Sequence, residues 1–147
     1  MFGVELSHAT VIRRCSELLG DKKIWQFGIR SGEKYEFEWA KKHNTINKFD
    51  LNGLDDLICE LKEANLPVYF TVDLDVLDPS VFPGTGTPEP GGISYKELQD
   101  AVIKVCGGLN IIAADVVELC PHYDQSGAST AIACKILREL LLALSGR

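Results

Sequence analysis

Apolar positions recur along the chain with two periods, and the switches between them mark the elements. Val11, Ile12, Cys15, Leu18 and Leu19 fall at helical spacing, and Gly20 closes that segment. Residues 24–29 form a short β-rich run, bounded by Gly28 and then Ser31-Gly32. Residues 33–42 predict a charged helix carrying Tyr35, Phe37 and Trp39, and 45–49 a short strand. Leu54, Leu57, Ile58 and Leu61 mark a third helix that stops near Asn65 and Pro67. Residues 68–72 are a continuous apolar strand. Ser94 and Glu97 have the spacing of a capping box and open a helix whose inner face is Leu98, Ala101, Val102 and Val105. Gly107-Gly108 ends it, 109–117 is another apolar strand, and the last helix spans 126–144.

Strands alternating with helices predict an α/β fold, a parallel sheet with helices on both faces. No repeat or linker divides the chain, so residues 1–147 read as one domain. Residues 75–93 break the alternation. They hold Pro79, Pro83, Pro88 and Pro90 and no periodic apolar pattern. A loop of that length in a compact domain is more often functional than idle.

Composition narrows the partners. A net charge of −6 argues against nucleic acid and suits a small cationic substrate. The five cysteines include no C-x-x-C pair, and most sit at apolar positions of helical patterns, where cysteine reads as a small hydrophobe in a reducing, cytoplasmic compartment. Arg13, Arg14 and Glu17 interrupt the first twenty residues, which argues against a leader. Lys135, Arg138 and Glu139 interrupt the most apolar stretch, 130–144, which argues against a membrane span.

The candidate chemistry begins where strand 68–72 runs into Asp73-Leu74-Asp75. If the strand continues, residues two apart point to one side, at the strand end where α/β sheets place ligands. Two carboxylates this close repel, so one protonates or a cation sits between them, and oxygen donors suit Mg²⁺ or Mn²⁺. The plainer alternative is a turn cap beside a solvated aspartate. Asp78, followed by Pro79, reads as a turn former. The glycines of 84–92 lack a following G-K-[ST], so no P-loop is predicted.

Taken together, residues 70–92 resemble the signature segment of the agmatinase/arginase (ureohydrolase) family: D-x-D-x-x-D-P, then P-G-T-G-T-P and G-G. Leu6-Ser7-His8-Ala9-Thr10 resembles the family segment with an active-site histidine, and Asp115-Val116-Val117-Glu118 the one with a substrate-binding glutamate. Pro121, Tyr123, Asp124 and Thr130 resemble its C-terminal stretch. The resemblance implies the C-terminal half of a three-layer arginase-like fold. It also implies two Mn²⁺ holding a bridging hydroxide that attacks a guanidinium carbon. Asp73 would bridge both metals, Asp75 would complete the shell of one, Glu118 would bind the guanidinium, and His8 would pass a proton to the departing amine. Gly84-Thr85-Gly86-Thr87 looks more like agmatinases than arginases, implying agmatine hydrolysis to putrescine and urea, a step toward polyamines. Ala9 and Cys120 depart from the family pattern and are expected at the pocket wall. His43 and His122 are expected at the surface, and Arg30 matches a recurrent family position without a catalytic role.

No G-D-H or D-A-H-x-D segment, the family's other ligand runs, occurs in the sequence. The expectation is therefore a C-terminal half inactive alone, part of an enzyme that commonly assembles as a homo-oligomer. Alternatives are another ureohydrolase (arginase or guanidinobutyrase), a Mg²⁺-dependent D-x-D phosphotransferase of the haloacid-dehalogenase type, and a non-catalytic partner of a separate N-terminal half.

Overall fold

The computed structural model describes residues 5–146, with 45–48 described by backbone alone. Residues 1–4 of the stretch read for a leader lie outside them. The elements follow the predicted order: α1 Val11–Leu19, β1 Trp25–Ile29, α2 Lys34–His43, β2 Thr45–Lys48, α3 Leu54–Ala64, β3 Pro67–Asp73, α4 Tyr95–Gly108, β4 Asn110–Val117 and α5 Ala128–Ser145. Short 3-10 turns occupy His8–Thr10, Leu74–Val76 and Pro121–Tyr123. None of the described helices is long and apolar enough to cross a membrane.

Among the described residues all the strand pairing is parallel, and four strands form two pairs, β1 with β2 and β3 with β4. Each pair carries one irregularity. In β3–β4, Val68 faces Ile111 but Tyr69 faces Ala113, so Ile112 is the extra, bulged residue. In β1, Gly28 takes φ 72° and donates its N–H to the Asp50 carbonyl at 3.0 Å. A β-carbon at Gly28 would strike the Val76 side chain, so glycine lets the turn after β3 seat against β1.

The main core lies between β3–β4 and helices α4 and α5. Val72, Leu74, Leu77, Phe82, Leu98, Val102, Cys106, Ile136 and Leu140 are buried there. The capping box is formed, with Ser94 accepting from the Glu97 N–H and Glu97 from the Ser94 N–H at 2.8 Å, and all four predicted inner-face residues of α4 are buried. Leu74, Leu77 and Phe82 are 1% exposed or less, which ties both ends of the aspartate turn and the loop after it into the core. Full burial of each such side chain is worth about 1.5–3 kcal/mol.

Two expectations change. Helix α1 forms as predicted, but Val11, Leu18 and Leu19 are exposed and Ser16 is its only buried residue. Its amphipathic stripe is therefore not covered by the described residues. The cysteines are also not uniformly core: Cys106 is buried, Cys15 and Cys120 are half-buried, and Cys59 and Cys134 are exposed.

Candidate functional site

Strand β3 ends at Asp73, and Asp75 lies in the 3-10 turn that follows. The strand alternation that predicted their shared direction therefore does not extend to Asp75. A cap does that work: Asp73 Oδ1 accepts the Asp75 N–H at 3.1 Å, which starts the turn and folds Asp75 back beside Asp73. The two carboxylates reach the same cleft by a different route from the one expected.

That cleft encloses about 450 Å³ and is lined by His8, Asp73, Asp75, Gly86, Thr87 and Glu118. Four predicted site residues, separated by up to 110 positions in the chain, thus converge on one space. Glu118 takes φ 65°, a left-handed conformation uncommon for a residue with a side chain. It follows β4 directly, and this kink turns its carboxylate toward the cleft, where a β-carbon at Gly86 would stand 3.8 Å from Oε2. His8 begins the 3-10 turn ahead of α1 and is exposed on the cleft's rim. Thr87 Oγ1 donates to Asp75 Oδ2 at 3.3 Å.

The charges are crowded. Enclosure by the surrounding protein pushes the Asp73 carboxyl up to about 7, and the negative charges of Asp75 and Glu118 push it the same way. The carboxyl nonetheless opens onto the cleft, where a cation can reach it. Carboxylate oxygens beside one another are the right donors for a hard divalent ion such as Mn²⁺. Their number falls short of a complete shell: among the described residues no group of three or more His, Cys, Asp or Glu is arranged to hold a metal. Asp73 and Asp75 fit a metal in kind and could supply only part of a donor set.

The loop after the turn is held at both ends. Asp78 accepts N–H bonds from Ser80 at 3.0 Å, Gly91 at 2.8 Å and Gly92 at 3.2 Å, which closes the loop on itself as its Asp-Pro sequence suggested. At the other side Gly84 is clamped: its N–H donates to Ser129 Oγ at 2.9 Å and its carbonyl accepts the Cys120 N–H at 2.7 Å. A β-carbon at Gly84 would lie 2.7 Å from the Ser129 β-carbon. Asp124 accepts the Ser129 N–H at 2.7 Å and so fixes the start of α5. Residues Gly86 and Thr87 are left to form the cleft wall.

Some expectations for this region need correction. Cys120 and Ala9 are not among the cleft's lining residues; Cys120 reaches the loop through its backbone, on the Gly84 side. His122 is exposed as expected, but His43 is half-buried, stacked on Trp39 with centroids 4.4 Å apart and paired with Asp21 at 2.8 Å. Two residues prove to support the site, although sequence reasoning assigned Asp115 no role of its own and Arg30 no catalytic one. Asp115 accepts from the Tyr69 hydroxyl and from Thr71, both at 2.6 Å, bridging β3 and β4 beside the site. Arg30 donates to carbonyls of the aspartate turn. The Thr71–Asp115 contact follows from the parallel register, which sequence periodicity does not reveal.

A second cleft of about 480 Å³ lies between the start of α3 and α4. It is lined by Asp50, Asp55, Asp56, Glu97 and Asp100 with Lys104, whose ammonium is already paired with Asp55 at 2.8 Å. It brings no histidine or cysteine near those carboxylates.

Residues 2–143 match the model of the Arginase family. An agmatinase of Bacillus cereus is 47% identical over 143 residues, which is 95% of this chain and 49% of that protein. A guanidinobutyrase of Pseudomonas aeruginosa is 34% identical over 99% of this chain and 49% of its own length. A crystal structure from Clostridium difficile superposes with a TM-score of 0.93 at 49% identity, covering 99% of this chain and 53% of the other. The chain thus spans about half the length of the curated relatives it matches. With a family model matched over nearly the whole chain and the fold shared with these relatives, the chain belongs to the arginase family.

Proposed function

We propose that this chain supplies the Asp73–Asp75 part of a manganese site that hydrolyses a guanidino compound, agmatine to putrescine and urea. The observation that carries the reading is the convergence of Asp73, Asp75, Glu118 and His8 on one cleft. Asp73 and Asp75 would hold Mn²⁺, two ions in a complete site, with further donors from outside these 147 residues. The metal, when bound, supplies a water acidified enough to act as a nucleophile near neutral pH.

The chain's own groups account for the rest. Glu118 offers a carboxylate to a planar guanidinium, which it can meet through paired N–H bonds. His8, on the rim, carries an imidazole that would pass a proton to the departing amine. Thr87 holds Asp75 in place by its hydroxyl. Agmatine is preferred because it is the substrate named by the Bacillus relative, and a protonated amine suits a cleft with three carboxylates. The phosphotransferase alternative loses ground because, among the described residues, no lysine lines the cleft to meet a phosphate. Such an enzyme would act in the cytoplasm, in polyamine formation, as a homo-oligomer.

The test is urea release by the full natural polypeptide with Mn²⁺, using agmatine, 4-guanidinobutyrate and arginine in parallel. Agmatine should be the best substrate, and chelation should abolish turnover. Asp73→Asn and Asp75→Asn should each reduce kcat/KM by at least about 100-fold, and Glu118→Gln should act mainly through substrate binding. The 147-residue polypeptide by itself should release no urea. Turnover that survives chelation, or that leaves all three guanidino compounds untouched, would overturn the reading.

A further inference from the structure

Arg30 follows β1 directly, and its guanidinium crosses to the aspartate turn. Nη2 donates to the carbonyl of Asp75 at 2.6 Å and to that of Glu89 at 3.0 Å. Nη1 donates to the carbonyl of Val76 at 3.0 Å, with a longer 3.4 Å contact to Gly28. One side chain thus joins the end of β1, the turn that carries Asp75, and the far limb of the loop. The next residue reinforces this, since Ser31 Oγ donates to the Glu89 carboxylate at 3.0 Å. Gly28, two residues earlier, is what allows Val76 to approach β1 at all.

The acceptors are all backbone carbonyls, and among the described residues no carboxylate forms an ion pair with Arg30. That distinction determines what the contact can do. A guanidinium paired with the Asp75 carboxylate would occupy the oxygens that a metal needs. One bonded to the Asp75 carbonyl fixes where the residue stands and keeps the guanidinium off its side-chain oxygens, of which Oδ2 accepts only the longer 3.3 Å contact from Thr87. The planar fork of five donors suits this task, and an ammonium does not reproduce it.

We propose that Arg30 is a positioning residue that sets the Asp75 turn and the Glu89 limb of the loop in one geometry before a cation binds. The proposal rests on the metal-dependent reading above. It assigns Arg30 a role in metal affinity beyond its role in holding the fold.

The test uses Arg30→Ala and Arg30→Lys in the full natural polypeptide, stripped of metal and titrated with Mn²⁺ by calorimetry. Thermal midpoints, and kcat and KM for agmatine, are measured alongside. Arg30→Ala should weaken Mn²⁺ binding by about 10–100-fold, the usual effect of losing a group that orients metal ligands. Its kcat should fall more than its KM rises. Added methylguanidinium should restore part of the Mn²⁺ affinity of Arg30→Ala and leave the wild type unchanged. Arg30→Lys should recover the thermal midpoint more fully than the metal affinity, and it carries the test if Arg30→Ala does not fold. A purely structural role would lower the midpoint in either variant and leave Mn²⁺ affinity at the wild-type value; that result overturns the proposal. A wild-type protein that binds no Mn²⁺ overturns the metal-dependent reading, and the Arg30 proposal with it. Wild-type binding matched by both variants overturns the Arg30 proposal alone.

Discussion

At Asp78 a single carboxylate closes the loop that walls the site. Its bonds from Ser80, Gly91 and Gly92 hold its pKa down to about 2, against an ordinary value of 3.8. A folded-state pKa below the unfolded one means stability that is present above about pH 4 and is lost as pH falls toward 2. Asp78→Ala should therefore lower the thermal midpoint at neutral pH, and the gap from wild type should narrow below pH 4. Thermal melts from pH 6 to pH 2 check this; a gap that stays constant with pH would place the effect in packing rather than in the charge. Asp78 was legible because Asp-Pro announces a turn in any context. Asp73 and Asp75 were legible as a pair, although the turn capped by Asp73, and not strand alternation, brings them together. Arg30 was not legible as a support. Its partners are carbonyls 45, 46 and 59 residues away, and a backbone carbonyl leaves no mark in a sequence.

Among the elements, the contact between the loop and α5 carries the most weight for the site. Ser129 is fully buried at the start of α5, and its hydroxyl is the acceptor for the Gly84 N–H. Ser129→Ala would leave that buried donor without a partner, a loss of about 1–3 kcal/mol. Denaturant unfolding should show this as a lower midpoint at unchanged slope, and the wall at Gly86 and Thr87 should loosen with it. A variant as stable as wild type would mean that the Cys120 N–H to the Gly84 carbonyl is the effective clamp. Helices and strands were legible here because their burial periods are strong: all four residues predicted for the inner face of α4 are buried, with Cys106 added to them. The bulge at Ile112 was not legible, because an extra residue in an apolar run keeps the run apolar while shifting its register. Nor was the bare stripe of α1, since an amphipathic pattern states that a face is to be covered and not what covers it.

For the whole molecule, surface area raises the same question of cover. The chain exposes 9022 Å², while a compact monomer of this mass shows roughly 7,500 Å². The excess of roughly 1,500 Å² matches what one side of a large protein interface buries. Apolar residues contribute to it: Leu18 is 87% exposed, Ile112 67% and Tyr69 62%. Tyr69 lies on the face of β3 opposite the main core, and Ile112 is the bulged residue of β4. Exposed apolar area beside strand backbone invites pairing with another chain. The 147-residue polypeptide produced alone should accordingly self-associate, with an apparent mass that rises with concentration in sedimentation equilibrium. Ile112→Lys tests the cause directly. The side chain is exposed and outside both core clusters, so the substitution should leave secondary structure by circular dichroism intact while shifting the population toward monomer. In the full natural polypeptide, where this face would meet the rest of the domain, the same lysine should instead lower stability, because it buries a charge. An Ile112→Lys chain that associates as strongly as wild type, or a wild-type chain that stays monomeric at high concentration, would show that the excess area is ordinary surface and not an uncovered interface.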